Sequence, residues 1–210
     1  MSHPALLLFD LDGVLARYDH AARLAVLAER SGASVEAVSA ALFESGLEAD
    51  SDLGRYDAAG QVEELSRRLQ RPIRLDDCID ARAAAMRIDA EVMAMAKAAS
   101  RRCSVAIFTN NGLLLRDNLR TILPPLFPLF EGRVRCSAEF GVGKPEATAF
   151  QRCLESLGFA AVDTLFIDDK LINMDGARRA GLHAHHFRDA AALADVLVHH
   201  RLLGEDDHAL

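Results

Sequence analysis

Two carboxylates two residues apart, Asp10 and Asp12, stand at the end of the apolar run Leu6-Leu7-Leu8-Phe9 and are followed by Gly13. Side chains of an extended chain alternate, so both acids project to one side if the extended geometry persists. Two like charges at the end of a buried strand need a cation, a proton or a cationic side chain to compensate them. Gly13 lets the chain turn where a side chain would obstruct it. Alone, this stretch has an ordinary explanation: a strand ending in solvated Asp residues and a glycine turn. Its meaning depends on what else the chain brings to the same place.

Three further polar clusters stand in comparable positions: Thr109-Asn110-Asn111, Lys144, and Asp168-Asp169. Several carboxylates around one point call for a hard divalent cation with oxygen ligands, most simply Mg²⁺. A lysine and a hydroxyl beside backbone N–H groups suit a phosphoryl group. One carboxylate can attack phosphorus to give an aspartyl phosphate, and a second can protonate the leaving oxygen and then activate water. Phosphate-monoester hydrolysis needs acceleration on the order of 10²⁰-fold. Metal charge and positioning are the natural source of much of it.

The elements that must position these groups follow from the pattern of the chain. Residues 19–86 carry helix signals and almost no strand signal. Asp19 caps a helix over residues 20–30 that Gly32 ends, Ser34 starts another, Asp57 caps a third that stops before Pro72, and Asp76 caps a fourth reaching Met86. Residues 50–54 read as a loop. From Asp89 strands and helices alternate, with strands expected at 104–109, near Val134, at 164–167 and at 183–187. Lys144-Pro145 opens a helix to Leu157, and a last helix runs from Asp189 to about Leu203. Such alternation implies right-handed βαβ units and a parallel sheet. The expected fold is therefore an α/β, Rossmann-like core of about five parallel strands, residues 1–16 and 88–210, with a helical cap inserted over residues 17–87. In open parallel sheets the site lies beyond the carboxyl ends of the strands, and all four polar clusters fall there or in the loops that follow. The tail 204–210 is expected to fray.

Composition sets the outer bounds. The 210 residues are 50% hydrophobic and 26% charged, enough for a sizeable core. The formal charge of −7 argues against a nucleic-acid partner. Four scattered cysteines with no Cys-x-x-Cys read as reduced thiols. No apolar run is long enough to span a bilayer and no signal peptide is apparent, so the expected location is cytoplasmic, without a membrane partner. Monomer and homodimer both stay open.

The set Asp10-Leu11-Asp12-Gly13, Thr109-Asn110, Lys144-Pro145 and Asp168-Asp169 resembles the four motifs of the haloacid dehalogenase (HAD) superfamily of hydrolases. It is similar in particular to phosphatases with a helical cap after the first strand. The run from Phe166 through Asn173 to Gly181 resembles the branch with sugar-phosphate phosphatases and the phosphatase domain of soluble epoxide hydrolase. The likeness implies that Asp10 is nucleophile and Mg²⁺ ligand, and that Asp12 is general acid/base and ligates the metal through its carbonyl. It further implies that Thr109 and the Asn110 backbone hold the phosphoryl group, and that Lys144 offsets the charge of Asp10 and the phosphate. Asp169 aligns with the metal-binding aspartate, Asp168 assists directly or through water, and Asn173 supports the pair. The implied activity is Mg²⁺-dependent hydrolysis of a small phosphorylated metabolite, a sugar phosphate among the candidates. Phosphomutase, dehalogenase and non-catalytic ligand binding are the alternatives. Dehalogenases of the family lack an acid at the position of Asp12, which favours phosphate chemistry.

Other side chains carry weaker signals. Lys170 follows the acidic pair and either points to solvent or crowds the metal site. Arg17 and Tyr18, at the junction of cap and core, are the better candidates for substrate contact. Phe43-Glu44-Ser45-Gly46 and Gly54-Arg55-Tyr56 lie in the cap, with Phe43 expected in its core. His183, His185 and His186 flank or sit in the last strand and show no metal-ligand spacing with a third ligand, while surface positions suit His20, His199 and His200.

Overall fold

A computed structural model describes residues 3–204. A five-stranded parallel sheet organises it: β1 (Leu6–Phe9), β4 (Ser104–Thr109), β5 (Val134–Cys136), β6 (Thr164–Asp168) and β7 (His183–His186), in spatial order β5-β4-β1-β6-β7. β1 is the central strand and is buried throughout. Its apolar residues serve both faces, as a buried parallel strand requires. Leu7 and Phe9 join one core layer with Val92, Leu115 and Leu197. Leu6 and Leu8 join the other with Phe150, Met174 and Ala177. The helices of the first layer are α6 (Ala90–Ala99), α7 (Leu113–Ile122) and α10 (Ala190–His199); those of the second are α8 (Ala147–Leu157) and α9 (Leu171–Arg179). The sheet is thus covered on both faces, the α/β architecture expected.

Between β1 and α6 the chain forms α1 (His20–Ser31), α2 (Val35–Ser39), a π-helical turn Ala40–Glu44, α3 (Leu47–Asp52), α4 (Ala58–Leu69) and α5 (Leu75–Ala85). Their own apolar cluster, around Leu24, Leu27, Val38, Leu42, Leu65 and Ala81, takes in Leu114 of α7. Asp19, Ser34 and Asp57 cap as expected, their side chains accepting from Ala22, Ala37 and Gly60 N–H. Asp76 does not: α5 begins at Leu75, and the Asp77 carboxylate takes the Arg74 N–H at 2.9 Å.

Two short strands escape the sequence pattern. β2 (Ala16–Tyr18) and β3 (Met86–Ile88) pair antiparallel, so a ribbon carries the chain into and out of the helical segment. Residues 50–52 belong to α3 rather than to a loop, because Leu47, Glu48 and Ser51 are buried on one face. Lys144-Pro145 precedes its helix instead of opening it: α8 starts at Ala147, and the Lys144-Pro145 bond is cis. The last helix ends at His199, a few residues early. Residues 205–210 of the tail lie outside the described residues. Among the described residues no helix is long and apolar enough to cross a membrane. All four cysteines are free thiols, three of them buried.

Candidate active site

Register brings the acids together. Phe9 pairs with Ile107 on one side and Ile167 on the other, so the next residue, Asp10, falls level with Phe108 and Asp168. The Asp10 N–H donates to the Ile167 carbonyl at 2.8 Å, extending the ladder by one bond. The chain then leaves the sheet. Gly13 N–H donates to the Ala16 carbonyl and Ala16 N–H to the Leu11 carbonyl, closing a tight turn. Asp10 and Asp12 still line one cavity of about 250 Å³, with Thr109, Asn110, Lys144 and Asn173. The shared side expected of an extended chain is thus produced by a turn. Gly13 makes the turn with φ of 92°, and a Cβ there would lie 2.5 Å from Asp169 Oδ2. Only a residue without a side chain permits both the backbone and that approach.

Lys144 is the electrostatic centre. It is 5% exposed, and its ammonium lies 2.8 Å from Asp10 Oδ1 and 2.7 Å from Asp168 Oδ2 while donating to the Phe108 carbonyl at 3.0 Å. Burial alone would lower its pKa; the two carboxylates outweigh that and raise it. Asp10 is dominated by burial, which pushes its carboxyl up to about 7 despite the pull of Lys144, with Asp168 and Asp12 adding to the rise. Its Oδ1 accepts from both Lys144 and the Leu11 N–H at 2.7 Å, which leaves Oδ2 as its uncommitted oxygen.

Asp168 is fully buried, yet its pKa is lowered: burial raises it, but Lys144, the Lys170 N–H and Asn173 more than reverse that. Its Oδ1 accepts from Lys170 N–H and Asn173, its Oδ2 from Lys144 and Asn173. A carboxylate has about four lone-pair directions, so these bonds fully occupy it and its work here is to hold Lys144. Asp169 is different. Its Oδ1 is buried without a hydrogen-bond partner among the described residues, and burial and then Asp168 raise its pKa. The His186 ring Nε2 lies 2.9 Å from its carbonyl oxygen. One oxygen each of Asp10, Asp168 and Asp169 lie within 4.8 Å of one another. The converging oxygens of Asp10 and Asp169, the latter with a buried oxygen left unsatisfied, the charge of Asp168 beside them and the cradle at Gly13 fit a small divalent cation.

Around this centre the expected residues gather, with two refinements. Asn110 exchanges both side-chain bonds with the Lys144 backbone, at 2.7 and 2.9 Å, so its own backbone is what it has left for a ligand. Asn111, given no role from sequence, donates to Asp12 Oδ2 at 2.9 Å and Thr109 Oγ1 at 2.7 Å, tying the second acid to the hydroxyl. Its only sequence signal was its place beside Thr109-Asn110. A Cβ on Gly176 would lie 2.1 Å from the Pro145 carbonyl, so close packing of α9 holds the Lys144 loop in place. Lys170 is exposed at the cavity rim. Arg17 pairs with Asp89 at the ribbon, its side chain 84% exposed, and it is not in the cavity of the acids.

A second polar cluster lies in the helical segment and was missed. Glu48 accepts two bonds from Arg23, one from Arg82 and one from Gln61, all buried. Burial would raise the Glu48 carboxyl, but the two guanidiniums hold it at about 2. Arg82 lies over the Tyr18 ring and Arg23 over that of Phe43. Asp52, one turn beyond Glu48, is pushed up to about 8 by burial and by Glu48. The available signal was Arg23 on the apolar face of α1, in line with Leu27 and Ser31.

A buried central strand ending in a carboxylate, a lysine bridging two acids and a turn bearing a second acid make up the candidate site. The chain belongs to the haloacid dehalogenase-like hydrolase family, whose model matches residues 4–181. Among curated relatives it is similar to Phosphatase MT3486 of Mycobacterium tuberculosis, 34% identical over 92 residues. That match spans 44% of this chain and 42% of the relative, less than half of each. In fold it is similar to a HAD-like family hydrolase from Porphyromonas gingivalis (TM-score 0.75, 23% identity, covering 93% of this chain and 98% of that one). It is also similar to a HAD family enzyme from Bacteroides thetaiotaomicron crystallised with magnesium and inorganic phosphate (TM-score 0.75, 18% identity, 90% and 98%).

Proposed function

We propose that the protein is a Mg²⁺-dependent phosphatase that hydrolyses a small phosphorylated metabolite through a phosphorylated Asp10. The observation that carries this reading is the pair of acids in one cavity: Asp10 with Oδ1 clamped and Oδ2 open, and Asp12 held by Asn111 with its Oδ1 buried and without a partner among the described residues. Asp10 Oδ2 attacks phosphorus as the bond to the leaving oxygen breaks, and Asp12 gives that oxygen its proton. Asp12 then takes a proton from water, whose oxygen attacks phosphorus and releases inorganic phosphate from Asp10. The Thr109 hydroxyl and the Asn110 backbone orient the phosphoryl oxygens, and Lys144 offsets their charge. Asp10, Asp169, the Asp12 carbonyl and, through its charge, Asp168 would hold Mg²⁺, which neutralises charge on the phosphoryl group when bound. Residues 17–87 act as a cap that excludes water and selects the substrate. The phosphatase relative and the fold neighbour holding magnesium and phosphate support the same chemistry.

The test is phosphate release from a panel of metabolite phosphates with Mg²⁺ and with chelator, for wild type and Asp10→Asn. Metal-dependent release that Asp10→Asn abolishes is expected. Wild-type turnover by Asp10→Asn would remove Asp10 as nucleophile.

A further inference from the structure

A cavity of about 640 Å³ lies between the β2–β3 ribbon, the start of α6 and the loop that leads from β7 into α10. None of its lining residues lines the cavity of the acids. Its volume falls in the range of pockets that hold small molecules. Three arginines from three segments line it: Arg17 of β2, Arg87 of β3 and Arg188 of the β7–α10 loop. Arg17 and Arg87 are direct partners in the ribbon. Ala16, Tyr18, Met86 and Ile88 pack on the core, so alternation turns both arginines to the outer face, side by side. Like charges directly opposite one another on a strand pair destabilise it.

These cations are poorly compensated. Arg17 reaches Asp89 only at 3.5 Å. Arg87 donates through Nη1 to the Ala83 and Met86 carbonyls at 3.0 and 2.8 Å and meets no carboxylate among the described residues. Arg188 is exposed and has neither a hydrogen bond nor an ion pair among them. Acids also line the cavity, but Asp89 and Asp189 are committed to helix caps: Asp89 accepts the Val92 N–H at 3.2 Å, and Asp189 the Ala192 N–H at 2.8 Å. Glu91 is the remaining acid of the lining. The apolar part of the wall comes from Val14, Ile88 and Phe187, all packed on the main core. The Phe187 N–H donates to the Asp168 carbonyl at 2.9 Å, so the aromatic residue is anchored to the sheet.

We propose that this cavity is a second ligand site, which binds a phosphate monoester carried on an aromatic ring. Arg17, Arg87 and Arg188 hold the phosphate, and the ring lies against Phe187, Ile88 and Val14. The site is independent of the phosphatase reading above. Guanidiniums match phosphate oxygens in pairs, and an anion set between Arg17 and Arg87 turns their repulsion into attraction. A cation would meet three arginines. A neutral ring would leave the arginines uncompensated, and inorganic phosphate would leave the apolar wall in water. An aromatic phosphate serves both halves of the lining, since rings stack on aromatic side chains. Nucleotides and flavin phosphates share this chemistry.

The experiment is calorimetric titration of the full chain with AMP, flavin mononucleotide, adenosine and inorganic phosphate, in chelator so that nothing is turned over. AMP or flavin mononucleotide should bind, and the tighter of the two names the source. Adenosine and inorganic phosphate, which each satisfy half of the lining, should bind at least about tenfold more weakly. Arg17→Ala and Arg188→Ala should each weaken the aromatic phosphate by about tenfold or more. Both side chains are exposed, so each variant should melt within a few degrees of wild type. Asp10→Asn should leave the affinity unchanged, because Asp10 lines the other cavity. Absence of binding by both aromatic phosphates, unchanged affinity in the two arginine variants, or affinity lost in Asp10→Asn would overturn the site and leave the phosphatase reading standing. Adenosine or inorganic phosphate binding as tightly as the aromatic phosphates would overturn the ligand class. Failure of the phosphatase reading would show separately, as absence of phosphate release with Mg²⁺.

Discussion

Replacing Lys144 by Met tests the electrostatics of the site without reference to any substrate. The ammonium bridges Asp10 and Asp168 at 2.8 and 2.7 Å in a setting that is almost fully buried. Removing one partner of a buried ion pair costs about 3–5 kcal/mol when the charge left behind stays ionised. Asp10 has an escape: burial already holds its carboxyl at about 7, so without Lys144 it takes up a proton at little further cost. In the unfolded chain its pKa is near 3.8. Above pH 7, therefore, wild-type Asp10 is ionised in both states, while the variant's native state still binds one proton that its unfolded state has released. Stability of the variant then falls by about 1.4 kcal/mol per pH unit relative to wild type, until Asp10 ionises there too. Urea unfolding at pH 6, 7, 8 and 9 in chelator reads this directly, with the slope m checked for constancy. The expected difference is about 2–3 kcal/mol near neutrality, growing with pH. A difference that stays the same from pH 6 to 9, or lies below about 1 kcal/mol throughout, would refute the assigned role of Lys144.

Three further outcomes follow from the same geometry. Gly13→Ala places a Cβ 2.5 Å from Asp169 Oδ2 at φ 92°, so it should lower stability by about 1–2 kcal/mol and cut phosphate release far more than that loss explains; a fully active variant would argue against the cradle. Mg²⁺ must compete with protons on Asp10 and Asp169, both of raised pKa, so the rise in Tm at fixed Mg²⁺ should be larger at pH 8 than at pH 6; at about a hundredfold excess over Kd it amounts to about 2.7 kcal/mol, and equal shifts at the two pH values would count against these ligands. Glu48→Gln leaves Arg23 and Arg82 buried without their counter-charge and should cost about 3–5 kcal/mol at pH 7 in urea unfolding. The Glu48 carboxyl is depressed from 4.5 to about 2, so its contribution is complete above pH 4.5 and is lost as pH falls toward 2, and the wild-type advantage over Glu48→Gln should shrink over that window.

What could be read from the chain and what could not divide along one physical line. Leu6–Phe9, Ser104–Thr109 and Thr164–Asp168 announce themselves because a strand buried on both faces must be apolar along its whole length, and the polar residues that end each run are forced to one edge by parallel topology. Asp10, Thr109 and Asp168 were visible for that reason alone. The ribbon of Ala16–Tyr18 with Met86–Ile88 was not, because three-residue strands with mixed exposure carry no period. Residues 50–52 looked like a loop from their turn-forming types, yet they are helical because Leu47, Glu48 and Ser51 bury one face of the helix against the rest of the fold.

The same line runs through the site itself. Asn111 reaches Asp12 across 99 residues, and Glu48 reaches Arg23 and Arg82 across 25 and 34. Such bonds leave no local trace beyond a charged residue on an apolar face, as Arg23 is on α1. The acids of the candidate site sit where topology obliges the chain to end its strands, so they can be located from sequence. Polar side chains of the helical segment such as Glu48, Arg23 and Arg82 are fixed only by tertiary pairing, so their partnership is invisible until the fold is known.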